Sequence, residues 1–400
     1  MVRIKATHRK TFLFFILCAI LVSCVCCGKS GQTNNSDNDG TILREHMQDY
    51  GNYIYTDFGV MKRYSISANT LTKACLDPGC DGSCALEMQT LLKGVCNGKL
   101  FFRAEETFAH SIYIGYQDLV SGEVAILKET SKIGSTFDDG VFVCDGYLYY
   151  VDKILKNGGS KSNPDDYISY MCRVSIDGGK EEHLFVVSNE KLFMVCEDVI
   201  ITLEDPNILY VYEIGDYQRK PLCDVTESGY LGIVNTSTYK SGKIYIRCSS
   251  EDKEYSEYSN GYYGLYYLVS VDVHSGELER VIDEPVYNFY LSAEGIYYVK
   301  MRLRHMYIPE DYREYPEKIR VSMADDSIHF RRYDGASDEV LYTNENINLG
   351  NFWVIRDNVL YGYLMDFDEE IHTFSGTAYF GVIDFSTGSI TRVEDQTKKQ

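Results

Sequence analysis

The sequence predicts an all-β protein, and within that class a β-propeller of seven four-stranded blades. Three observations lead there. A hairpin motif recurs along nearly the whole chain at a near-constant spacing. The 35 Tyr and 18 Phe stand against one Trp and seven Pro, a composition suited to strands with one wet face, where the ring buries and the hydroxyl reaches water. No helical period of useful length follows the N-terminal segment.

The motif is a turn pair followed by an alternating aromatic and aliphatic strand. It reads Gly51-Asn52-Tyr53-Ile54-Tyr55, Asn97-Gly98-Lys99-Leu100-Phe101, Asp145-Gly146-Tyr147-Leu148-Tyr149 and Glu197-Asp198-Val199-Ile200-Ile201. It continues as Ser241-Gly242-Lys243-Ile244-Tyr245, Glu294-Gly295-Ile296-Tyr297-Tyr298 and Asp357-Asn358-Val359-Leu360-Tyr361. The second turn residues fall at 52, 98, 146, 198, 242, 295 and 358, a mean spacing of 51 residues. Such pairs between apolar runs predict type I′ hairpins, whose central residues need positive φ. A second hairpin follows most copies, as at Asp177-Gly178-Gly179, His274-Ser275-Gly276 and Ser386-Thr387-Gly388. Two hairpins per repeat make four strands, and seven repeats fill residues 42–395, leaving 396–400 as a tail. A β-helix repeat is shorter, and paired sandwiches would not repeat seven times.

Residues 1–23 read as a secretion signal. Arg3, Lys5, Arg9 and Lys10 precede the apolar run from Phe12 to Val22, which is about half the length needed to span a bilayer. The segment ends in Leu21-Val22-Ser23-Cys24, which resembles a lipobox, so a lipid on Cys24 is expected to hold the chain to the outer face of a membrane. Residues 24–41 read as a flexible polar tether. Gly28-Lys29-Ser30 imitates a phosphate-binding loop but lacks the earlier Gly, and the Asn35 to Gly40 run imitates a calcium loop but has His46 where the bidentate Glu belongs.

Once the four basic residues of the signal are removed, 35 basic side chains face 59 acidic ones, a net charge of −24. That balance repels phosphate backbones and excludes nucleic acid as a partner. Of the 13 cysteines, Cys18 leaves with the signal and Cys24 is assigned to the lipid, so an odd number remains.

The lipobox, the Asp-Gly hairpins and the segment Cys75-Leu76-Asp77-Pro78-Gly79-Cys80 together resemble the uncharacterised propeller lipoproteins of anaerobic Gram-positive bacteria. Their repeats are related to receptor-type and TolB-type propellers, and the resemblance covers nearly the whole mature chain. It implies fold and location, and no activity. Relatives often have a His after the second Cys of this segment, where this chain has Asp81-Gly82, which tells against a metal.

Cys75, Cys80 and Cys84 lie within ten residues and can form a disulfide, sit as free thiols or hold a metal; no fourth zinc ligand is evident, and none is expected. Cys96, Cys144 and Cys196 share one repeat position just before the turn pair, which suggests small apolar filling in blades too far apart to pair. No Gly-x-Ser-x-Gly or His-Glu-x-x-His motif occurs, and acid pairs such as Asp138-Asp139, Asp165-Asp166 and Glu369-Glu370 are ordinary in so acidic a chain. Quinone-cofactor propellers carry a Trp in each repeat, and Trp353 stands alone, so no cofactor is expected.

Three loops exceed the repeat's minimum: Lys156 to Tyr167, Ser249 to Tyr263, and Lys300 to Arg320. The last concentrates Arg302, Arg304, His305 and Arg313 among Tyr307, Tyr312 and Tyr315, and is the candidate ligand loop. Alternatively its charges neutralise Glu310, Asp311, Glu314 and Glu317. Two function classes remain: a module that binds a protein or glycan at one mouth, favoured here, and a surface hydrolase or lyase acting on glycan or peptide.

Overall fold

The computed structural model describes residues 47–399, except 58–59, 78–79, 81–83, 88, 107–110, 132–139, 161–165, 189, 205, 257–260, 308–309, 311–319, 336–337, 350–352, 369–372 and 375–377. The signal, Cys24 and the tether lie outside them.

Seven antiparallel sheets follow one another along the chain, each a meander in which sequence neighbours pair. Blade 1 runs Met47–Tyr50, Tyr53–Thr56, Lys62–Ser65, Thr70–Lys73, and blade 2 runs Gln89–Cys96, Lys99–Glu106, Ser111–Asp118, Val124–Ser131. Blade 3 is Val141–Cys144, Tyr147–Leu155, Tyr167–Ser175, Glu182–Val187, and blade 4 is Lys191–Cys196, Val199–Glu204, Ile208–Glu213, Lys220–Asp224. Blade 5 is Tyr230–Lys240, Lys243–Ser256, Gly261–Asp272, Leu278–Arg280. Blade 6 is Val286–Leu291, Gly295–Tyr307, Ser327–Arg332, Asp338–Thr343, with Arg320–Ala324 added beside its second strand. Blade 7 has a first strand in two pieces, Ile347–Asn348 and Trp353–Arg356, then Val359–Asp368, Tyr379–Asp384 and Ser389–Arg392. The seven-bladed propeller expected from the repeat is what the chain forms.

Burial falls from the inside of each blade outward. In blade 4 the second strand, Val199–Glu204, is buried at five of six positions, because adjacent blades pack face to face and both faces of an inner strand are covered. The fourth strand of blade 7, Ser389–Arg392, is exposed throughout. This explains why Val199–Glu204 reads as a largely apolar run while Ser389–Arg392 does not.

The first hairpins bear out the turn chemistry in most blades. Asn97, Asp145, Ser241 and Asp357 have φ between 44° and 52°, and each is followed by a Gly or Asn at positive φ. In blades 1 and 4 only the first residue of the pair, Gly51 and Glu197, has positive φ, and blade 6 departs further. Its turn spans Ser292 to Gly295, closed by the Ser292 N–H donating to the Gly295 carbonyl at 2.9 Å, and neither Glu294 nor Gly295 has positive φ. Gly295 is required there by space: a Cβ would come within 2.4 Å of the Arg331 carbonyl oxygen and 2.8 Å of the Phe330 ring.

The ring closes without an exchanged strand, since each blade is built from contiguous chain among the described residues. Met47, Ile54, Tyr64 and Leu71 of blade 1 pack against Val354, Tyr361, Tyr363 and Phe380 of blade 7. The Tyr64 ring lies 5.0 Å from Phe380 and 5.7 Å from Tyr361, centroid to centroid. Arg356 donates to Asp49 at 3.3 Å and to the Gly51 carbonyl. Past the last strand, Asp395 pairs with Leu71 in a single parallel bridge and accepts from Lys62 at 2.7 Å. Most of the clasp is therefore side-chain packing across the seam between two blades.

Candidate functional site

In a four-stranded meander the hairpin between strands one and two and the turn between strands three and four share one face of the ring. The connections between strands two and three lie on the other. The first, turn-lined face is acidic, carrying Asp145, Glu197, Asp198, Glu294 and Asp357 at successive hairpins.

On the second face three neighbouring blades are prolonged. In blade 5, Lys243–Ser256 and Gly261–Asp272 stay paired out to Ser256 opposite Gly261, with Tyr255 opposite Tyr262. In blade 6, the 13-residue strand Gly295–Tyr307 continues beyond the blade and pairs with Arg320–Ala324, setting His305 opposite Ser322 and Tyr307 opposite Arg320. In blade 7, Val359–Asp368 runs on to pair Phe367 with Phe374. The blade 6 ribbon touches that of blade 7. Strands of 13 and 14 residues extend for roughly 45 Å, more than twice the reach of the five- to six-residue strands common elsewhere. The three ribbons thus form a raised wall on one side of the loop face.

Of the Lys300 to Arg320 insert, 300–307 and Arg320 belong to the blade 6 ribbon. Arg302 is engaged: its guanidinium donates twice to Asp325 Oδ1, at 2.9 and 2.5 Å, and lies 3.6 Å from Asp326. Lys300 pairs with Glu284. For Arg302 and Lys300 the neutralising acids are Asp325, Asp326 and Glu284, which lie outside the insert. The backbones of Arg304, His305 and Tyr307 belong to the ribbon strand. Tyr312, Arg313 and Tyr315, with Asp311, Glu314 and Glu317, lie outside the described residues, and of the acid pairs only Asp166 lies inside.

Beneath the ribbon is a histidine that sequence reasoning passed over in favour of His305. His329 is 7 % exposed and stacks on Tyr298 with centroids 5.1 Å apart. Its Nε2 is 4.0 Å from Asp325 and its Nδ1 3.8 Å from Asp338, contacts too long to be hydrogen bonds. Burial foremost, then the Lys300 charge, pushes the His329 pKa down. Burial pushes the Asp325 pKa up, against the pull of Arg302. The Ile328-His329-Phe330 alternation was the available signal, because a polar residue between two apolar ones in a third strand faces the neighbouring blade.

Two further polar networks sit between blades. Lys128 of blade 2 reaches Asp152 at 2.9 Å and Glu181 at 2.6 Å in blade 3, and Glu181 also meets Tyr150 and His183. Burial works against the Lys128 charge, yet the two carboxylates outweigh it and raise its pKa. In blade 4 the buried Glu190 accepts from Tyr212 at 2.9 Å and from Thr202, and pairs with Arg219 at 2.5 Å. Arg219 in turn lies 3.6 Å from the centre of the Tyr210 ring. In each network one cation is shared by two carboxylates, Lys128 by Asp152 and Glu181 and Arg219 by Glu190 and Glu204.

The three thiols of the blade 1 to blade 2 crossover come together. Cys75, Cys80 and Cys84 have their sulfurs all within 4.8 Å of one another, and Cys75 and Cys84 are 3.6 Å apart. None of the nine described cysteines forms a disulfide. Burial raises the pKa of Cys75 and of Cys84.

Cys96, Cys144 and Cys196 end the first strands of blades 2, 3 and 4, each of which adjoins the next around the ring, and none of the three forms a disulfide. Cys196 is fully buried, as apolar filling requires, whereas Cys96 and Cys144 are partly exposed. Burial pushes the Cys144 thiol up to about 11.

Among the described residues no helix is long and apolar enough to cross a membrane. No family model and no curated protein matches the chain. Solved structures do. A puromycin hydrolase matches at 10 % identity and TM-score 0.49, over 87 % of this chain and 53 % of that one. An acylaminoacyl peptidase of Pyrococcus horikoshii matches at 10 % identity and TM-score 0.47, over 89 % and 52 %. The β-propeller domain of the Trilobed protease from Pyrococcus furiosus, described as having an open velcro topology, matches at 11 % identity and TM-score 0.42, over 74 % and 82 %. The chain thus spans about half the length of the first two proteins.

Proposed function

We propose that this chain is an exported lipoprotein, anchored through Cys24, whose propeller is a binding module for a glycan or protein ligand. The observation that carries the reading is the wall of prolonged ribbons on blades 5, 6 and 7. A rigid ring raises three neighbouring hairpins on one face, and the sequence of the central one is rich in Arg and Tyr, residue types whose guanidinium forks and ring faces suit anions and sugars. With Arg302 held by Asp325, the contacts fall to the outer part of the ribbon, Arg304 and beyond. A tethered ring held off an anionic surface by its own negative charge suits capture of a ligand from outside the cell.

Tyr307 and Arg320 are cross-strand partners, so a two-residue Asn-Gly turn in place of 308–319 closes the hairpin with its pairing intact. On a glycan array, and in pull-downs with purified surface proteins, the wild type is expected to bind, and the trimmed protein to lose at least about tenfold in affinity with its melting temperature unchanged. Equal binding by both would remove the ribbon from the reading. Hydrolysis of an arrayed glycan would favour the enzymatic alternative. Independently, Cys24→Ala is expected to move the protein out of the membrane fraction, and unchanged mass and membrane association would end the anchor assignment.

A further inference from the structure

The geometry points to a metal site at Cys75, Cys80 and Cys84: a three-thiolate centre for one thiophilic d10 cation of the zinc type, stapling the crossover from blade 1 to blade 2.

The crossover is tied down on both sides of the cluster. Before it, the Ala74 N–H donates to the Met61 carbonyl at 3.0 Å. After it, Ala85–Glu87 makes a turn of 3-10 helix whose Ala85 carbonyl accepts from the Thr90 hydroxyl at 2.7 Å. Between these anchors the chain folds back, the Cys80 N–H donating to the Asp77 carbonyl at 3.1 Å, and this brings the central thiol to the other two. Leu76 packs on the turn of blade 2 at Gly122, where an added Cβ would come within 3.1 Å of the Leu76 Cβ. Cys75 and Cys84 pack among Leu86, Leu100, Phe102 and Val124.

Three observations favour a cation over a disulfide. Three sulfurs converge, and a disulfide uses two. The 3.6 Å between Cys75 and Cys84 is close to the sulfur–sulfur edge of a tetrahedral zinc thiolate, about 3.8 Å for bonds of about 2.3 Å. The third sulfur lies within 4.8 Å of both, so a modest contraction closes the triangle on one ion. All three residues are partly exposed, which leaves the fourth coordination position open to water and answers the lack of a fourth protein ligand. Soft thiolates select zinc, cadmium or copper(I) over calcium and magnesium. Loading replaces three S–H bonds by three metal–sulfur bonds and releases three protons, so a divalent ion leaves a centre of net charge −1.

The test uses the full chain, reduced and stripped with a chelator, and titrated with zinc and with cadmium as a spectroscopic probe. The expected result is one ion per chain, about three protons released per ion, and thiolate-to-cadmium absorption in the ultraviolet. That absorption is expected to fall by about a third in Cys80→Ser and to vanish in the triple Ser variant, with Cys96→Ser unchanged. Zinc is also expected to raise the melting temperature of the wild type and not of the triple variant. Because uptake and proton release are read on the wild type, a poorly folding variant does not remove the test. Failure of the reduced wild type to take up either ion overturns the site. So does uptake that survives in the triple variant, or an isolated Cys75–Cys84 disulfide whose reduced form takes up no metal.

Discussion

His329 and His305 show how burial, and not composition, decides which titratable group matters. His305 stood out because Arg and Tyr surround it in the sequence. His329 is buried, with Asp325, Asp338, Glu284 and Lys300 around it and Tyr298 against its ring. Its folded pKa lies below the ordinary 6.5, so the fold holds the imidazole neutral. Above pH 6.5 folded and unfolded chains bind equally few protons there, and its contribution to stability is fully present. As pH falls through 6.5 toward the lower folded value, the unfolded chain gains the proton first and stability is lost. The raised Asp325 acts with the opposite sign at lower pH, since its protonated form is the one the fold prefers. Urea midpoints of wild type and His329→Gln are therefore expected to converge between about pH 7.5 and about pH 5.5, the wild type losing more. Parallel curves would show that His329 does not couple to folding.

At the scale of elements, the third-to-fourth-strand turns carry a signature that the sequence displays plainly once its meaning is known. Asp118 to Gly122, Asp272 to Gly276 and Asp384 to Gly388 each read Asp-x-x-Ser/Thr-Gly. In each, the Asp carboxylate accepts from backbone N–H groups two and three residues on. Those bonds hold the carboxyls of Asp118 and Asp272 below their ordinary pKa, and at Asp384 the Ser386 hydroxyl, followed by the backbone bonds, does the same. The turns look interchangeable in sequence and are not so in the fold. Gly388, at φ 69°, has nothing within 4 Å of where a Cβ would stand, while Gly276, at φ 74°, would drive one to 1.9 Å from the Leu222 carbonyl oxygen in blade 4. Gly388→Ala is expected to cost about 1 kcal/mol, from the left-handed backbone alone. Gly276→Ala is expected to cost roughly 3 kcal/mol or more, because backbone of the next blade must also shift. Equal losses in urea denaturation would mean that the blade 4 contact carries no weight.

The whole molecule depends on its seam. Successive blades meet through their faces, so removing blade 7 exposes the apolar face of Met47, Ile54, Tyr64 and Leu71 as well as the side of blade 6 that Trp353 and Leu360 cover. Loss of that packing, more than any unpaired strand edge, is the penalty for opening the ring. Deleting 347–400 is expected to give aggregated protein or none; a soluble monomer melting in one transition would contradict a closed ring. Arg356→Ala, which removes only the polar clasp to Asp49 and Gly51, is expected to leave a folded monomer of lower melting temperature.

Much of this was legible before any coordinates, because the features concerned are local. Positive φ at an Asn-Gly pair, alternation along a strand and a spacing near 51 residues are written in neighbouring residues, and together they determine blade count and strand order. The residues on which a signal and a lipobox are proposed are local too. What only the tertiary structure decided depends on residues distant in the chain and adjacent in space. Arg302 is claimed by Asp325, 23 residues away, and Arg356 by Asp49, 307 away. Cys80 meets Cys75 and Cys84 beside a turn closed by its own N–H on the Asp77 carbonyl, and the first strands of blades 2, 3 and 4, which end in Cys96, Cys144 and Cys196, adjoin one another around the ring. A repeat can be counted along a line, whereas the distance between its copies is set by the radius at which the closed ring places them.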